Sequence, residues 1–330
     1  MSIPFFGMTE NAEKDSPFLT RQFPASSIKK VVAKTTGGSI EVNGDASSEA
    51  IVNVFVEHKI WSQQKIKQVF DEYYSLELKV EGGTLHAIVK SKTKSMNWSD
   101  SGLSISFNIS VSNQTDTELN TSGGSIRISN LEGTQDFKTS GGSLTLADLS
   151  GKITGKTSGG SMNITGSKGN IDLVTSGGSV NASKSSGTIS LKTSGGSINL
   201  TKLDGSIHVA TSGGSISAND ITGQFYAATS GGNVNLSDIS GNLEAGTSGG
   251  NINVAMRSAD EYIKLKTSGN IRLAIPKGGY RLDVKAQKIA TPNLTDFSGS
   301  IKDDRIDGTI GIGTTSIEIK ASGKVEISFN

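Results

Sequence analysis

Asparagine and threonine side chains recur at 18-residue spacings through the middle of the chain, and they are its main candidates for binding chemistry. The candidates are Asn163, Asn181, Asn199, Asn235, Asn253, Thr165 and Thr201. Amides and hydroxyls both donate and accept hydrogen bonds, so a flat, evenly spaced array of them could dock a glycan, or even ice. In a second interpretation the Asn amides bond from one repeat to the next and only stiffen the chain.

Residues suited to catalysis are present but scattered. The carboxylates Asp136, Asp172 and Glu244 share one position of the repeat, yet no two of them lie on adjacent repeats. A polysaccharide hydrolase needs paired carboxylates on either side of the scissile bond. The sequence therefore predicts no catalytic residue and a protein that is not an enzyme. It predicts solvated or cap positions for the three histidines, His58, His86 and His208.

Metal and cofactor sites are not indicated either. The chain has no cysteine, so it has no thiolate ligands. Calcium-binding β-rolls place an Asp in every Gly-rich turn, whereas the turns here read Thr-Ser-Gly-Gly. Asp220 and Asp238 recur at one turn position, where a cation could relieve their repulsion, but a solvated pair is the favoured interpretation. A net charge of +1 over 330 residues gives no electrostatic case for nucleic acid.

A strict repeat must position these side chains. Thr-Ser-Gly-Gly begins at Thr121, Thr139, Thr157, Thr175, Thr193, Thr211, Thr229 and Thr247. Counted from that Thr, apolar residues fall at positions 6, 8, 15 and 17, a spacing of two that predicts strands with one buried face. Each repeat would then be one coil of two strands. The Thr hydroxyl is expected to bond a turn amide, and position 10 to adopt a left-handed turn.

The two ends are less regular. The segment 62–74 predicts an amphipathic helix, and Leu76–Val80 with Leu85–Val89 predicts a hairpin. No run of residues reaches the roughly 20 apolar residues that span a bilayer. Residues 1–8 are apolar, which indicates the tail of a secretion signal or, alternatively, a disordered terminus. The predicted organisation is a leader or disordered segment 1–27, a first coil and N-terminal cap 28–120, regular repeats 121–266, and irregular C-terminal coils with a cap 267–330.

Three features resemble the bacterial putative-adhesin family, cell-envelope proteins grouped as a β-strand-repeat domain of unknown function. They are the serial Thr-Ser-Gly-Gly-Ser corners, the run Ile271–Val284, and the ending Gly308–Phe329. The resemblance spans about residues 28–330. It implies a right-handed, two-sheet β-solenoid that is exported and is often lipid-anchored or periplasmic. The family supplies no established active site, and the lack of an intact signal peptide departs from its pattern.

These observations predict an all-β, right-handed two-sheet β-solenoid of 18-residue coils, resembling a β-roll or β-helix, with an N-terminal cap that contains one short helix. The predicted function is non-enzymatic, an adhesin-like binding or scaffolding protein that acts through its repetitive outer face. The expected location is periplasmic, outer-surface or secreted, and the expected partners are glycans or other cell-surface components. The alternative is a carbohydrate-active enzyme, of the polysaccharide lyase or hydrolase type, on the same architecture.

Overall fold

The computed structural model describes residues 16–45, 48–92 and 102–330. These residues are predominantly β, with one α-helix, α1 (Gln63–Tyr73), and a 3-10 turn at Ala25–Ser27. The predicted β class and the single short helix are thus confirmed for the described residues. The apolar segment 1–8 lies outside the described residues. Among the described residues, no helix has the length and apolar character that crossing a membrane requires.

The strands follow one another along the chain with few long gaps. Those before the regular repeats are β1 (Leu19–Pro24), β2 (Lys30–Lys34), β3 (Ile40–Asp45), β4 (Glu49–Glu57), β5 (Tyr74–Glu81), β6 (Thr84–Ser91), β7 (Ser104–Ser112) and β8 (Asp116–Asn120). Those of the repeats are β9 (Ile126–Ser129), β10 (Glu132–Lys138), β11 (Leu144–Ala147), β12 (Ser150–Lys156), β13 (Met162–Thr165), β14 (Lys168–Val174), β15 (Val180–Lys192), β16 (Ile198–Thr211), β17 (Ile216–Thr229), β18 (Val234–Thr247) and β19 (Ile252–Thr267). The remainder are β20 (Ile271–Ile275), β21 (Tyr280–Lys285), β22 (Lys288–Ala290), β23 (Phe297–Lys302), β24 (Arg305–Ile310), β25 (Thr315–Ala321) and β26 (Lys324–Phe329).

Parallel ladders join each repeat to the next at an offset of 18 residues. Val180 pairs with Ile198, which pairs in turn with Ile216. The early repeats have two strands each, as predicted, but β15 to β18 are single long strands. The reason is visible at Lys202, where only the corner residue drops out of the ladder and pairing resumes at Leu203. The 18-residue sequence period is therefore the number of residues in one coil, which separates each residue from its partner on the next strand of the ladder.

The interior is a thin aliphatic column that runs the length of the stack. Ile198, Leu200, Ile207 and Val209 occupy the four apolar positions of one repeat, and each is at most 2% exposed. Because alternate side chains of a strand point to opposite faces, the residues between them point outward. Gln135 is the polar exception at an apolar position. It is fully buried, and its amide accepts a hydrogen bond from the Thr117 hydroxyl at 2.7 Å and donates one to the Thr115 carbonyl at 3.1 Å.

The Thr-Ser-Gly-Gly corners lock each coil to the preceding one. The Thr193 hydroxyl accepts a bond from the Gly196 amide at 3.2 Å, which confirms the predicted turn contact. It also donates to the Gly178 carbonyl of the preceding coil at 2.8 Å, which the sequence did not predict. The second corner is left-handed, as predicted, with φ between 52° and 65° at Asn130, Asp148, Gly166, Lys184, Lys202, Asp220 and Asp238.

The N-terminal end of the stack finishes in antiparallel strands. Beyond the parallel pairs of β2 and β3, β4 pairs antiparallel with β7, β1 with β4, and β5 with β6. Strand β1 is folded, although it lies within the segment 1–27 assigned from the sequence to a leader or disordered terminus. The predicted hairpin is β5–β6, and the predicted helix is α1, whose Ser62 cap accepts the Lys65 amide. Its buried face carries Ile66, Val69 and Phe70.

The C-terminal end is interleaved, which means that late strands of the chain lie between earlier ones in the stack. After β19 and β20 the chain passes outward through β21 to β24 and then returns, so that β25 lies between β19 and β21. Strand β26 likewise lies between β20 and β22. Antiparallel pairs of β21 with β24 and of β24 with β23 finish the stack. The 18-residue spacing ends after Thr247, because Thr247 pairs with Thr267 across irregularities in β19.

Candidate functional site

The outward side chains at position 7 of the repeats form an ordered hydrogen-bonded line, called here the Asn row and defined as Asn163, Asn181, Asn199, Ser217, Asn235 and Asn253. Asn181 Nδ2 donates to Asn163 Oδ1 at 2.9 Å, and Asn199 Nδ2 donates to Asn181 Oδ1 at 3.0 Å. Asn253 Nδ2 donates to Asn235 Oδ1 at 2.9 Å. Every bond runs in one direction, with the later coil donating to the earlier one.

The Asn row is interrupted at Ser217, whose side chain is too short to continue the amide ladder. On one side of this gap lies Asn199 Oδ1 and on the other Asn235 Nδ2. Within the described part of the chain, neither atom has a hydrogen-bond partner. A shallow groove of about 510 Å³ lies at the same place, lined by residues that include Asn199, Thr201, Ser217, Asn235 and Asn253. The gap therefore leaves an acceptor and a donor, two rungs apart, on the walls of this groove.

The flanking hydroxyls divide into two groups. At position 9, Thr165 is bonded to Ser183 at 2.6 Å, whereas Thr201 lines the groove. At position 5 the side chains serve the stack, because Ser215 Oγ accepts the amide of Asn233 at 3.1 Å. The structure thus brings Asn199, Asn235, Asn253 and Thr201 together around the groove. It places Asn163, Asn181 and Thr165 on the same face but farther along the row.

The three histidines lie in different parts of the chain, and two of them, His58 and His208, stack on aromatic rings. His58 follows β4 and stacks on Trp61, with ring centroids 3.8 Å apart. His208 points outward from β16 and stacks on Tyr226 of the next coil at 4.3 Å, with the rings 7° from parallel. Burial, with a smaller contribution from the positive charge of Lys192, lowers the pKa of His208. His208 is therefore held towards its neutral form.

Asp220 and Asp238, favoured from the sequence as a solvated pair, are instead bound to one arginine, so that interpretation was wrong. Arg257, in the irregular part of β19, donates from its guanidinium to Asp220 at 2.8 Å and to Asp238 at 2.6 Å. The hydrogen bond with Arg257 lowers the pKa of Asp238. Residues 16–45, 48–92 and 102–330 contain no group of three or more His, Asp or Glu side chains arranged to hold a metal ion.

Sequence reasoning missed one set of carboxylates. Glu318 of β25, Asp283 of β21 and Asp307 of β24 lie opposite one another on adjacent strands. No repeat spacing relates them, so only the interleaved topology brings them together. Glu318 is bonded to Lys320, which lowers its pKa, and Asp307 pairs with Arg305 at 3.1 Å. These side chains are engaged in ion pairs with their neighbours.

Together the stack and its outward rows define a β-strand-repeat protein. Residues 185–328 match the family described as Toastrack DUF4097, so the chain carries a Toastrack domain, which is a domain of unknown function. This match confirms the resemblance recognised in the sequence. It covers β16 to β25 completely and most of β15 and β26, and therefore includes both the groove at Ser217 and the interleaved end.

Two solved structures are also similar to the chain. One is a putative cell adhesion protein from Clostridium sporogenes, with 11% identity and a TM-score of 0.20 over 94% of this chain and 98% of that chain. The other is a putative lipid binding protein from Parabacteroides distasonis, with 15% identity and a TM-score of 0.28 over 78% of this chain and 97% of that chain. At these TM-scores neither similarity carries an argument about function. No curated protein matches the sequence.

Proposed function

We propose that the protein is a non-enzymatic binding protein of the cell envelope or surface, adhesin-like, that recognises a hydroxyl-rich ligand, a glycan, through its Asn row. The observation that carries the proposal is the gap at Ser217. A ladder that served only to stiffen the stack would be expected to continue through this coil, and one asparagine at position 217 would complete it. The chain has a serine there instead, and the groove lies at the same place.

The chemistry of the gap suits a sugar. Each sugar hydroxyl can donate and accept, and the gap offers one unpaired acceptor, Asn199 Oδ1, and one unpaired donor, Asn235 Nδ2. Two rungs of a β-stack separate them by roughly 10 Å, with the Ser217 hydroxyl between. Individual hydrogen bonds of this kind contribute only about 0.5–1.5 kcal/mol each. Useful affinity would therefore come from several contacts along the row.

The decisive variant is Ser217→Asn, which places an amide in the gap. Two new side-chain bonds would then join Asn199 and Asn235, and stability should rise by about 0.5–1.5 kcal/mol for each bond formed. Glycan binding should fall at least tenfold, because the unpaired donor and acceptor are consumed and the groove is filled. The matched control is Thr145→Asn, which lengthens the same ladder beyond Asn163 and away from the groove.

The measurement is a glycan array of the purified protein, followed by titration of the bound glycans against both variants. Loss of binding in Ser217→Asn with retention in Thr145→Asn supports the proposal. If the wild type binds no glycan, or if both variants bind as the wild type does, the Asn row is a stiffening ladder only and the proposal is wrong.

We also propose that the chain has no hydrolase activity. A glycosidase of the usual kind needs one carboxylic acid whose pKa is raised so that it can protonate the leaving group. Glu318, the nearest candidate, has its pKa lowered by Lys320. The carbohydrate-active alternative is tested by incubating the protein with acidic and neutral polysaccharides and measuring new reducing ends and unsaturated products. Their appearance, abolished by Glu318→Gln, would overturn this proposal.

We infer further that the coils wind right-handedly around two facing sheets and that the protein is exported. Connections between parallel strands of one sheet are right-handed in about 98% of cases, which supports the handedness. The two apolar pairs of each coil support the two sheets. A crystal structure tests the architecture, and fractionation of cells that express the full-length protein tests the location. Recovery in the cytosol alone would contradict the proposed export.

A further inference from the structure

Basic side chains form a second row, at the C-terminal end and on the other outward face. Lys266 of β19 pairs with Lys320 of β25, which pairs with Lys285 of β21. Lys285 pairs with Arg305 of β24, which pairs with Lys302 of β23. Directly paired residues of a sheet point to the same face. Five cations on five adjacent strands therefore stand side by side, and they are called here the basic row.

A cavity of about 440 Å³ lies along the basic row. Its lining includes Lys266, Lys285, Arg305 and Lys320, together with Asp304 and Ser322. The four cations are exposed, so their charges are available to a ligand. The carboxylate of Asp304 is the acidic member of the lining, which leaves a clear excess of positive charge.

The charges of the row are only partly balanced. Lys320 pairs with Glu318, and Arg305 pairs with Asp307 at 3.1 Å and lies 3.7 Å from Asp283. Neither Lys266 nor Lys285 forms an ion pair with any of the residues that the structure describes. Like charges directly opposite one another weaken a sheet. Carboxylates thus balance Lys320 and Arg305, whereas Lys266 and Lys285 keep charges that a bound anion can neutralise.

We propose that the basic row is a docking site for an acidic polysaccharide, a linear polymer whose carboxylates face successive cations. The row is extended rather than compact. Five strands at about 4.8 Å each make it roughly 19 Å long, so a single phosphate would meet only a fraction of it. The cavity is lined without an aromatic side chain, whereas single-stranded nucleic acids are held by bases stacked on aromatic rings. Its concave shape suits a chain better than a flat membrane surface.

The test compares two triple variants of the full chain. Lys266→Gln, Lys285→Gln and Lys320→Gln together remove three adjacent charges of the row. The matched control replaces Lys138, Lys156 and Lys192 by Gln, because these lysines occupy the same repeat position in earlier coils and are likewise exposed. Both variants remove three charges from the same face. Binding to polygalacturonate is measured by titration, with its neutral methyl ester, inorganic phosphate and phosphatidylserine vesicles as further probes.

The wild type and the control should bind polygalacturonate alike, and the variant of the basic row should bind about 3- to 150-fold more weakly, the range for three exposed charge contacts. Salt at about 0.5 M should weaken wild-type binding strongly. Equal loss in both variants, equal binding of the methyl ester, or binding of phosphate or vesicles in place of the polymer would overturn the proposal. The inference is independent of the Asn row, so Ser217→Asn should bind polygalacturonate as the wild type does.

Discussion

The two adjacent glycines of a corner should differ sharply in their tolerance of a methyl group. A Cβ on Gly196 would lie 2.1 Å from the carbonyl oxygen of Gly178 and 2.6 Å from the amide nitrogen of Ser179, both in the preceding coil. These are backbone atoms, so they cannot rotate away. A Cβ on Gly195 would lie 3.5 Å from the nearest atom, the carbonyl oxygen of Gly177, which is ordinary van der Waals contact.

The cost of Gly196→Ala follows from two contributions. Overpacking of this kind costs about 1–3 kcal/mol. The carbonyl that must move, that of Gly178, also accepts the Thr193 hydroxyl at 2.8 Å, and weakening that bond adds about 0.5–1.5 kcal/mol. We expect a loss of about 1.5–4.5 kcal/mol in the free energy of unfolding. Gly195→Ala should instead be neutral or stabilising by up to about 1 kcal/mol, because Ala restricts the unfolded chain.

The assay is urea unfolding of both variants, followed by circular dichroism. Repeat arrays can depart from two-state unfolding, so midpoints and slopes should be compared before free energies are extracted. Gly196→Ala should lower the midpoint clearly, and Gly195→Ala should leave or raise it. Equal midpoints for the two variants would refute the view that direct backbone contact between coils explains the second glycine of the corner.

Three further outcomes are expected. Ile198→Asp should abolish soluble expression because it buries a charge in the aliphatic column, whereas Ser197→Asp should melt close to the wild type; similar behaviour of the two would reverse the assigned faces. Deletion of residues 175–192 should leave a folded, shorter stack, whereas a nine-residue deletion should not, as circular dichroism melts would reveal. Arg257→Gln should lower the urea midpoint at neutral pH but not in acid. Because Arg257 lowers the pKa of Asp238 below its ordinary 3.8, its contribution is complete above that value and disappears as the pH falls through the folded-state pKa. A difference between the two midpoints that does not shrink as the pH is lowered would contradict this assignment.

Local rules were sufficient to predict the repeats. The period, the buried positions and the left-handed corners such as Lys202 follow from side-chain alternation and turn chemistry, and the structure agrees. The same rules also indicated the two interpretations of the Asn row. What they could not reveal was a groove at Ser217, because a depression depends on neighbouring side chains on two coils rather than on any one residue.

Long-range pairing was not predictable in the same way. Ile271 pairs with Val325 although 54 residues separate them, and no local pattern specifies such a partner. The basic row is a consequence of this topology, since Lys266, Lys320 and Lys285 share no interval in the sequence. Strand β1 was missed because Leu19–Pro24 is short and exposed on most of its length, so it shows no clear apolar alternation. The buried Gln135 breaks the apolar pattern and is satisfied only by contacts made in the fold.

The interleaved C-terminal end also sets an order of events during synthesis. Strand β21 emerges from the ribosome before β25, yet β25 is its parallel neighbour and the strand that joins it to β19. The coils up to β19 can assemble progressively, because each rests on one already made. Residues 280–310 can instead reach their final place in the stack only after residues 315–329 have been translated, because β25 and β26 lie between them and the earlier coils. The C-terminal end can therefore reach its final strand order only after the chain has been translated through β26.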